Sequence, residues 1–192
     1  LYAALAFYFW RRHWSATGAA DAEGVSRRGV EHAALLAPLA LHTWLLAGSL
    51  FGSDGLYLGV GNAISLILWL TVLIYGSGSL FYRLDGLHAL VTPAAAVAVM
   101  LPVVFPATRA LANTETLAFK AHLLIAMLAY SLFTIASLHV MLMAIIERRL
   151  HAGALPPSLR SMPPLLTMET LLFRIIAAGF VLLTLTIASG VL

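Results

Sequence analysis

No cysteine occurs anywhere in the 192 residues. Disulfides, thiolate metal sites and covalent thiol chemistry are therefore excluded, and composition is silent on redox compartment. Charge is nearly as scarce, at 10% Asp, Glu, Lys and Arg, where a soluble domain carries about a quarter. The apolar fraction is 61% and the mean hydropathy +0.96. A chain so short of charge cannot clothe a water-facing surface, so it is a membrane protein. The strict alternation that barrel strands need is absent, because the apolar runs are continuous. Also missing are HExxH, GxSxG, a P-loop and a GxGxxG opening a helix. No carboxylate pair lies within an apolar run, which leaves acid/base hydrolysis and a carboxylate-linked proton pump weakly supported. The net charge of +3 and pI near 9.6 do not indicate nucleic acid, since the basic residues sit in short patches between apolar runs.

What is present is a series of six apolar stretches, over 1–10, 31–51, 58–80, 87–106, 117–146 and 169–192. A helix needs about 20 apolar residues to cross a bilayer. The first stretch is incomplete and the others are long enough, so the expected fold is all-α, a polytopic transmembrane bundle of about six helices. Residues 1–192 then form one integral membrane domain. The opening "LYAALAFYFWRRHW", without Met, reads as the tail of a spanning helix, and the domain is expected to be cut at both ends. Pro93, Pro102 and Pro106 predict a bent fourth helix. Small residues in "LGVGNAISL" and "IYGSGSL" predict a third helix packed centrally.

Arginine gives the expected orientation. Arg11, Arg12, Arg27, Arg28, Arg83, Arg148, Arg149 and Arg160 fall after the first, third and fifth stretches, against Asp54, Arg109, Glu115 and Lys120 on the other side. The arginine-rich side is the cytoplasmic one. In a bacterial inner membrane this puts the N-terminus in the periplasm.

Histidine is the chemically informative residue, with seven copies. His13 and His151 lie in loops beside arginines, and His32 and His88 at the cytoplasmic ends of apolar runs, where headgroups accommodate an imidazole; none of the four requires a function. His42 falls about ten residues into its stretch, roughly 15 Å from the cytoplasmic end, where an ionisable group usually faces a bundle interior, a cavity or a cofactor. His122 stands about one turn inside the outer end of the fifth helix, and His139 follows roughly 25 Å further down the axis, so the two cannot share a ligand. His139 is read as an interfacial residue bonded to Ser137 or a neighbouring helix. Histidines without cysteine or carboxylate suit haem iron, for which imidazole is a common axial ligand. Trp44, Trp69, Tyr130 and Phe133 can contribute to an aromatic pocket or simply pack against lipid. Beside His122, Lys120 suits a propionate, Tyr130 can hydrogen-bond within the site, and Ala121, Ala126 and Ala129 leave room for a flat macrocycle.

"HLLIAMLAYSLFTIASL", "GVGNAISLILWL" and "MPPLLTMETLLFRIIAAGFVLLTLTIASGVL" resemble the cytochrome c assembly (CcsA/CcmC-type) haem-handling membrane proteins, and within them the HemX/YpjD-like branch. The resemblance runs from about the second helix to the end and is densest in "MPPLLTMETLLFR" and "GFVLLTLTIASG". It implies haem as cofactor, His122 as the outer-side iron ligand, His42 as an intramembrane ligand or relay, and other membrane proteins of a biogenesis complex as partners beside the lipid bilayer. The Trp-rich, Asp-containing segment of the assembly proteins would follow Leu192. Two readings stand: a haem-binding or haem-handling membrane protein, and a non-catalytic structural or assembly subunit of a larger membrane complex. A transporter is a third, and no enzymatic reaction is assigned.

Overall fold

In the computed structural model, residues 1–14, 24–52, 55–79, 87–111, 114, 116–153 and 164–190 are described, the side chains of 12–14 and 24–32 excepted. Helices α1 (Tyr2–Trp14), α2 (Gly24–Leu50), α3 (Val60–Gly78), α4 (His88–Ala98), α5 (Leu101–Val104), α6 (Leu117–His151) and α7 (Leu165–Gly190) account for nearly all of them. Two-residue strands β1 (Phe51–Gly52) and β2 (Gly55–Leu56) pair as an antiparallel hairpin between α2 and α3. The protein is an all-α membrane bundle, and among the described residues four helices are long and apolar enough to span: α2 over Ala33–Leu50, α3, α6 and α7.

The fourth apolar run differs from expectation in length and in where it bends. It forms the 11-residue α4 and the 4-residue α5, short of a bilayer span. Pro93 lies inside α4 without ending it, and the break comes at Val99–Met100, just ahead of Leu101 and Pro102. A proline ring disfavours helical geometry in the residue before it and removes a donor from the next turn. The chain therefore re-enters a helix with Pro102 in the first turn of α5, and α5 stops before Pro106.

Helix α3 is central, packing against α2, α4, α5 and α6. Gly61 permits this, because a Cβ there would lie 2.5 Å from the Leu101 carbonyl oxygen and 2.6 Å from that of Phe105. Buried Asn62 donates to the carbonyls of Ser49 (3.0 Å) and Tyr57 (2.6 Å), tying the end of α2 and the hairpin to the start of α3. Further along, the Ser131 hydroxyl lies 2.7 Å from the Met127 carbonyl of its own helix and 3.1 Å from the Ile67 carbonyl of α3, so its one proton is shared at the contact between α3 and α6. Phe9, Tyr75, Leu87, Leu142 and Ile146 form the main core toward the Arg148 end.

Thr116 caps α6 by accepting from the Phe119 amide, and Gly153, at φ 65°, follows its last turn. At 35 residues α6 is about 52 Å long and exceeds the ~30 Å hydrocarbon core. Arg148, Arg149 and His151 in its last turn complement the helix dipole. Helix α7 packs along α6 through Met168, Leu172, Gly179 and Thr186, a spacing close to 3.5 residues that keeps one seam facing a partner helix. Gly179 lets Phe133 and Leu132 approach its backbone.

Candidate functional site

Near the start of α6, the seam with α7 brings His122 to the far end of the antiparallel helix. Its Nδ1 lies 2.9 Å from the Ser189 hydroxyl, and a Cβ on Gly190 would stand 3.3 Å from its Cε1. The Ser189 hydroxyl also lies 2.9 Å from the Thr186 carbonyl. When its single proton is given to that carbonyl, the hydroxyl accepts from Nδ1–H of His122 and the lone pair is on Nε2; which group holds the proton depends on the tautomer. Nε2 has no hydrogen bond among the described residues. A ligating histidine is typically arranged this way, one nitrogen held by a neighbour and the other presented to the metal.

His42 occupies a different part of the bundle. It is 1% exposed, its Nε2 lies 2.9 Å from the Ser65 hydroxyl of α3, and its ring meets Tyr2 of α1 edge-on at 5.7 Å. Its Nδ1 and the Tyr2 hydroxyl are both buried without a hydrogen-bond partner among the described residues. Buried polar atoms are satisfied in the great majority of cases, so these two mark a polar spot inside the apolar core. His88 corrects the headgroup placement: it is 4% exposed, stacked on Phe9 at 4.9 Å and edge-on to Tyr75 at 4.9 Å. The end of an apolar run proved here to be the interior of the bundle, because α1 packs over α4. His139 is buried and donates from Nε2 to the Met168 carbonyl at 3.1 Å, so its bond is to a neighbouring helix; Ser137 donates to Phe133 instead. His151 is exposed and bonded to the Glu147 carbonyl. The His13 and His32 side chains lie outside the described residues.

A groove of about 610 Å³ has α3 as its floor and α2 and α6 as its walls, the hairpin closing one end. It is lined chiefly by leucines, with Trp69, Met127, Thr43 and Lys120 among them. Trp69 donates to Thr43 at 2.8 Å, and Thr43 donates to the Leu39 carbonyl at 2.8 Å, so the polar atoms of this pair are satisfied. Lys120 lines the groove, whereas His122, about 200° further round the helix, faces α7.

The expected residues thus divide among separate places. His122 and Lys120 share one end of α6 but not one face. Tyr130 is 48% exposed and has no bond to His122, and His42 contacts α1 and α3. Ala126 and Ala129 are buried, so they do not leave an open face beside His122. Trp69 reaches the groove, while Trp44 is 78% exposed and Phe133 packs on α7. Sequence reading missed Ser189, Ser65 and Tyr2. Each becomes visible only through the register between two helices, which no local spacing encodes.

A family model described as "Cytochrome C assembly protein" matches residues 31–192, most of the chain. No curated protein and no solved structure matches. The matched span contains α3, α6 and α7, both ends of the His122–Ser189 pair and the His42–Ser65 pair. The chain belongs to the cytochrome c assembly protein family.

Proposed function

We propose that this protein handles haem during cytochrome c biogenesis, with Nε2 of His122 as an axial iron ligand. Family membership supports the biogenesis role. The observation that carries the haem reading is the Ser189 hydroxyl against Nδ1 of His122, with Nε2 left without a hydrogen bond among the described residues. In the tautomer in which Ser189 donates to the Thr186 carbonyl and accepts from Nδ1–H, Nε2 carries the lone pair that iron requires. Haem supplies the redox-active iron that becomes part of the cytochrome; this chain's residues bind and orient it. His42, with Nδ1 uncommitted inside the bundle, is the second candidate ligand or a relay. Lys120 and Tyr130 face elsewhere than His122, so on this reading neither belongs to its immediate ligand set.

The HemX/YpjD-like branch is the proposed place within the family, and a bacterial inner membrane with the His122 end toward the periplasm is the proposed setting. That orientation rests on Arg11, Arg148 and Arg149, which the fold gathers at the opposite end, since Phe9 and Ile146 share one core. The competing reading, a structural or assembly subunit, is favoured by the exposed apolar face of α7, which includes Leu166, Phe173, Phe180 and Ile187. Absorbance of the purified full-length protein separates the two. A stoichiometric Soret band supports haem handling, and a colourless, folded protein that still co-purifies with membrane partners supports the subunit.

A further inference from the structure

His139 is a buried imidazole with one nitrogen uncommitted, and the haem reading does not use it. It is 1% exposed, and its Nε2 stands 3.1 Å from the main-chain carbonyl of Met168 on α7. A carbonyl oxygen only accepts, so in the neutral ring Nε2 carries the proton and Nδ1 the lone pair. That Nδ1 is buried without a hydrogen-bond partner among the described residues, where buried polar atoms are satisfied in the great majority of cases. Donation from one ring nitrogen to a backbone carbonyl is the arrangement that fixes the other nitrogen of a ligating histidine on its metal. The side chains nearest in register offer sulfur. Met143 follows His139 by four residues, one turn along the same face of α6, and a long helical side chain leans back over the turn before it, here the turn of His139. Met143 is half-buried and packs on the core cluster that contains Met168, itself 6% exposed. Carboxylate is wanting: α6 has no acidic residue between Lys120 and Glu147, and Glu169, next to Met168, is exposed. The Ser137 hydroxyl is exposed as well and donates to Phe133.

We infer that Nδ1 of His139 and the thioether sulfurs of Met143 and Met168 form a site for one Cu(I) ion in the α6–α7 seam. Donor chemistry selects the ion. Thioether ligands select Cu(I), and imidazole serves copper too, whereas Mg²⁺, Ca²⁺ and Mn²⁺ take carboxylate, carbonyl and water oxygens. Zn²⁺ accepts imidazole, but with neutral ligands alone its two charges stay uncompensated in an apolar core, and burying charge without compensation is costly. Cu(I) carries half that charge. Methionine is unbranched with three rotatable bonds, so the sulfurs can close on an ion while the two helices keep their register. The enclosure that takes a bare ion leaves no room for a macrocycle, so this site stands apart from His122 and does not depend on the haem reading.

The test uses the full-length protein in detergent without oxygen, with Cu(I) supplied as its acetonitrile complex and bicinchoninate as the competing chromophore. Met143→Leu and Met168→Leu nearly conserve volume, and the second keeps the main-chain carbonyl that holds Nε2, so each removes sulfur alone. Each should weaken Cu(I) binding by at least the roughly 10–100-fold that loss of an outer-shell partner costs, while the thermal midpoints of the metal-free proteins stay together. Met141→Leu, at an exposed position on the same helix, should bind like the parent. X-ray absorption at the copper edge of the loaded parent should show sulfur and imidazole scattering, with the sulfur lost in the double variant Met143→Leu/Met168→Leu. A parent that retains no Cu(I) against the competitor overturns the inference, and so does retention by the double variant equal to the parent's, which would put the copper elsewhere. Tighter binding of Zn²⁺ than of Cu(I) by the parent overturns the choice of a soft ion.

Discussion

Ser189→Ala perturbs the proposed ligand without touching it. Removing the hydroxyl takes away the acceptor for Nδ1–H of His122, 2.9 Å distant, and leaves the ring's two neutral tautomers to compete. A neutral hydrogen bond contributes about 1 kcal/mol net, and 1.4 kcal/mol is tenfold in a binding constant, so the lost tautomer bias alone is worth about fivefold. Removing the outer partner of a metal-ligating histidine typically costs about 10–100-fold in affinity. His122 is only partly buried, so water can replace the hydroxyl, and the expected loss is about tenfold, at the low end of that range. Ser189 is the better perturbation than Gly190, where an added Cβ would stand 3.3 Å from the ring and push it. Haem titration of the full-length protein, followed at the Soret band, should show weaker binding with the band position kept, and Ser189→Thr, which retains the hydroxyl, should behave like the parent. A Ser189→Ala titration superimposable on the parent's would refute the tautomer argument.

Three further outcomes follow from the packing. Gly61→Ala drives a methyl against two main-chain carbonyls, at 2.5 and 2.6 Å; the expected cost is about 1–3 kcal/mol, read as a lower thermal midpoint in detergent, and an unchanged midpoint would mean that α3 and α5 are not in this contact. His42→Leu loses one hydrogen bond and removes a buried polar ring, so stability should change by less than about 1 kcal/mol; aggregation of the variant would make His42 a structural residue. A cysteine at exposed Thr108 should react with a membrane-impermeant thiol reagent in intact cells and one at exposed Ala152 should not; the reverse pattern overturns the proposed orientation.

The bundle was legible because scarcity of charge and continuous apolar runs leave only helices in lipid, and small residues marked α3 as the helix others approach closely. The α4–α5 break was legible in kind but not in place. Proline chemistry predicts a bend, whereas its position depends on which turn the neighbouring helices support. Of the two partners expected for His139, Ser137 or a neighbouring helix, the neighbouring helix supplies the bond, while its expected interfacial position gives way to burial at 1% exposure. His88 was misplaced because sequence alone cannot show that α1 folds over the start of α4, and a residue at the end of an apolar run looks the same whether headgroups or aromatic rings surround it. Lys120 and His122 looked like one site through their nearness in sequence, but two residues along a helix point to nearly opposite faces. The groove and Ser189 both arise from contacts between distant helices, so neither left a local trace.

The central claim is that iron is held by His122. Haem content and Soret spectrum of the full-length protein, compared between His122→Ala and His139→Ala, test it most directly, since both histidines lie on α6 but His122 is partly exposed, whereas His139 is 1% exposed, with Nε2 bonded to Met168 and its unpartnered Nδ1 enclosed in the core. The account predicts that His122→Ala loses haem or shifts its spectrum while His139→Ala keeps the parent's; unchanged haem content and spectrum in His122→Ala would contradict it.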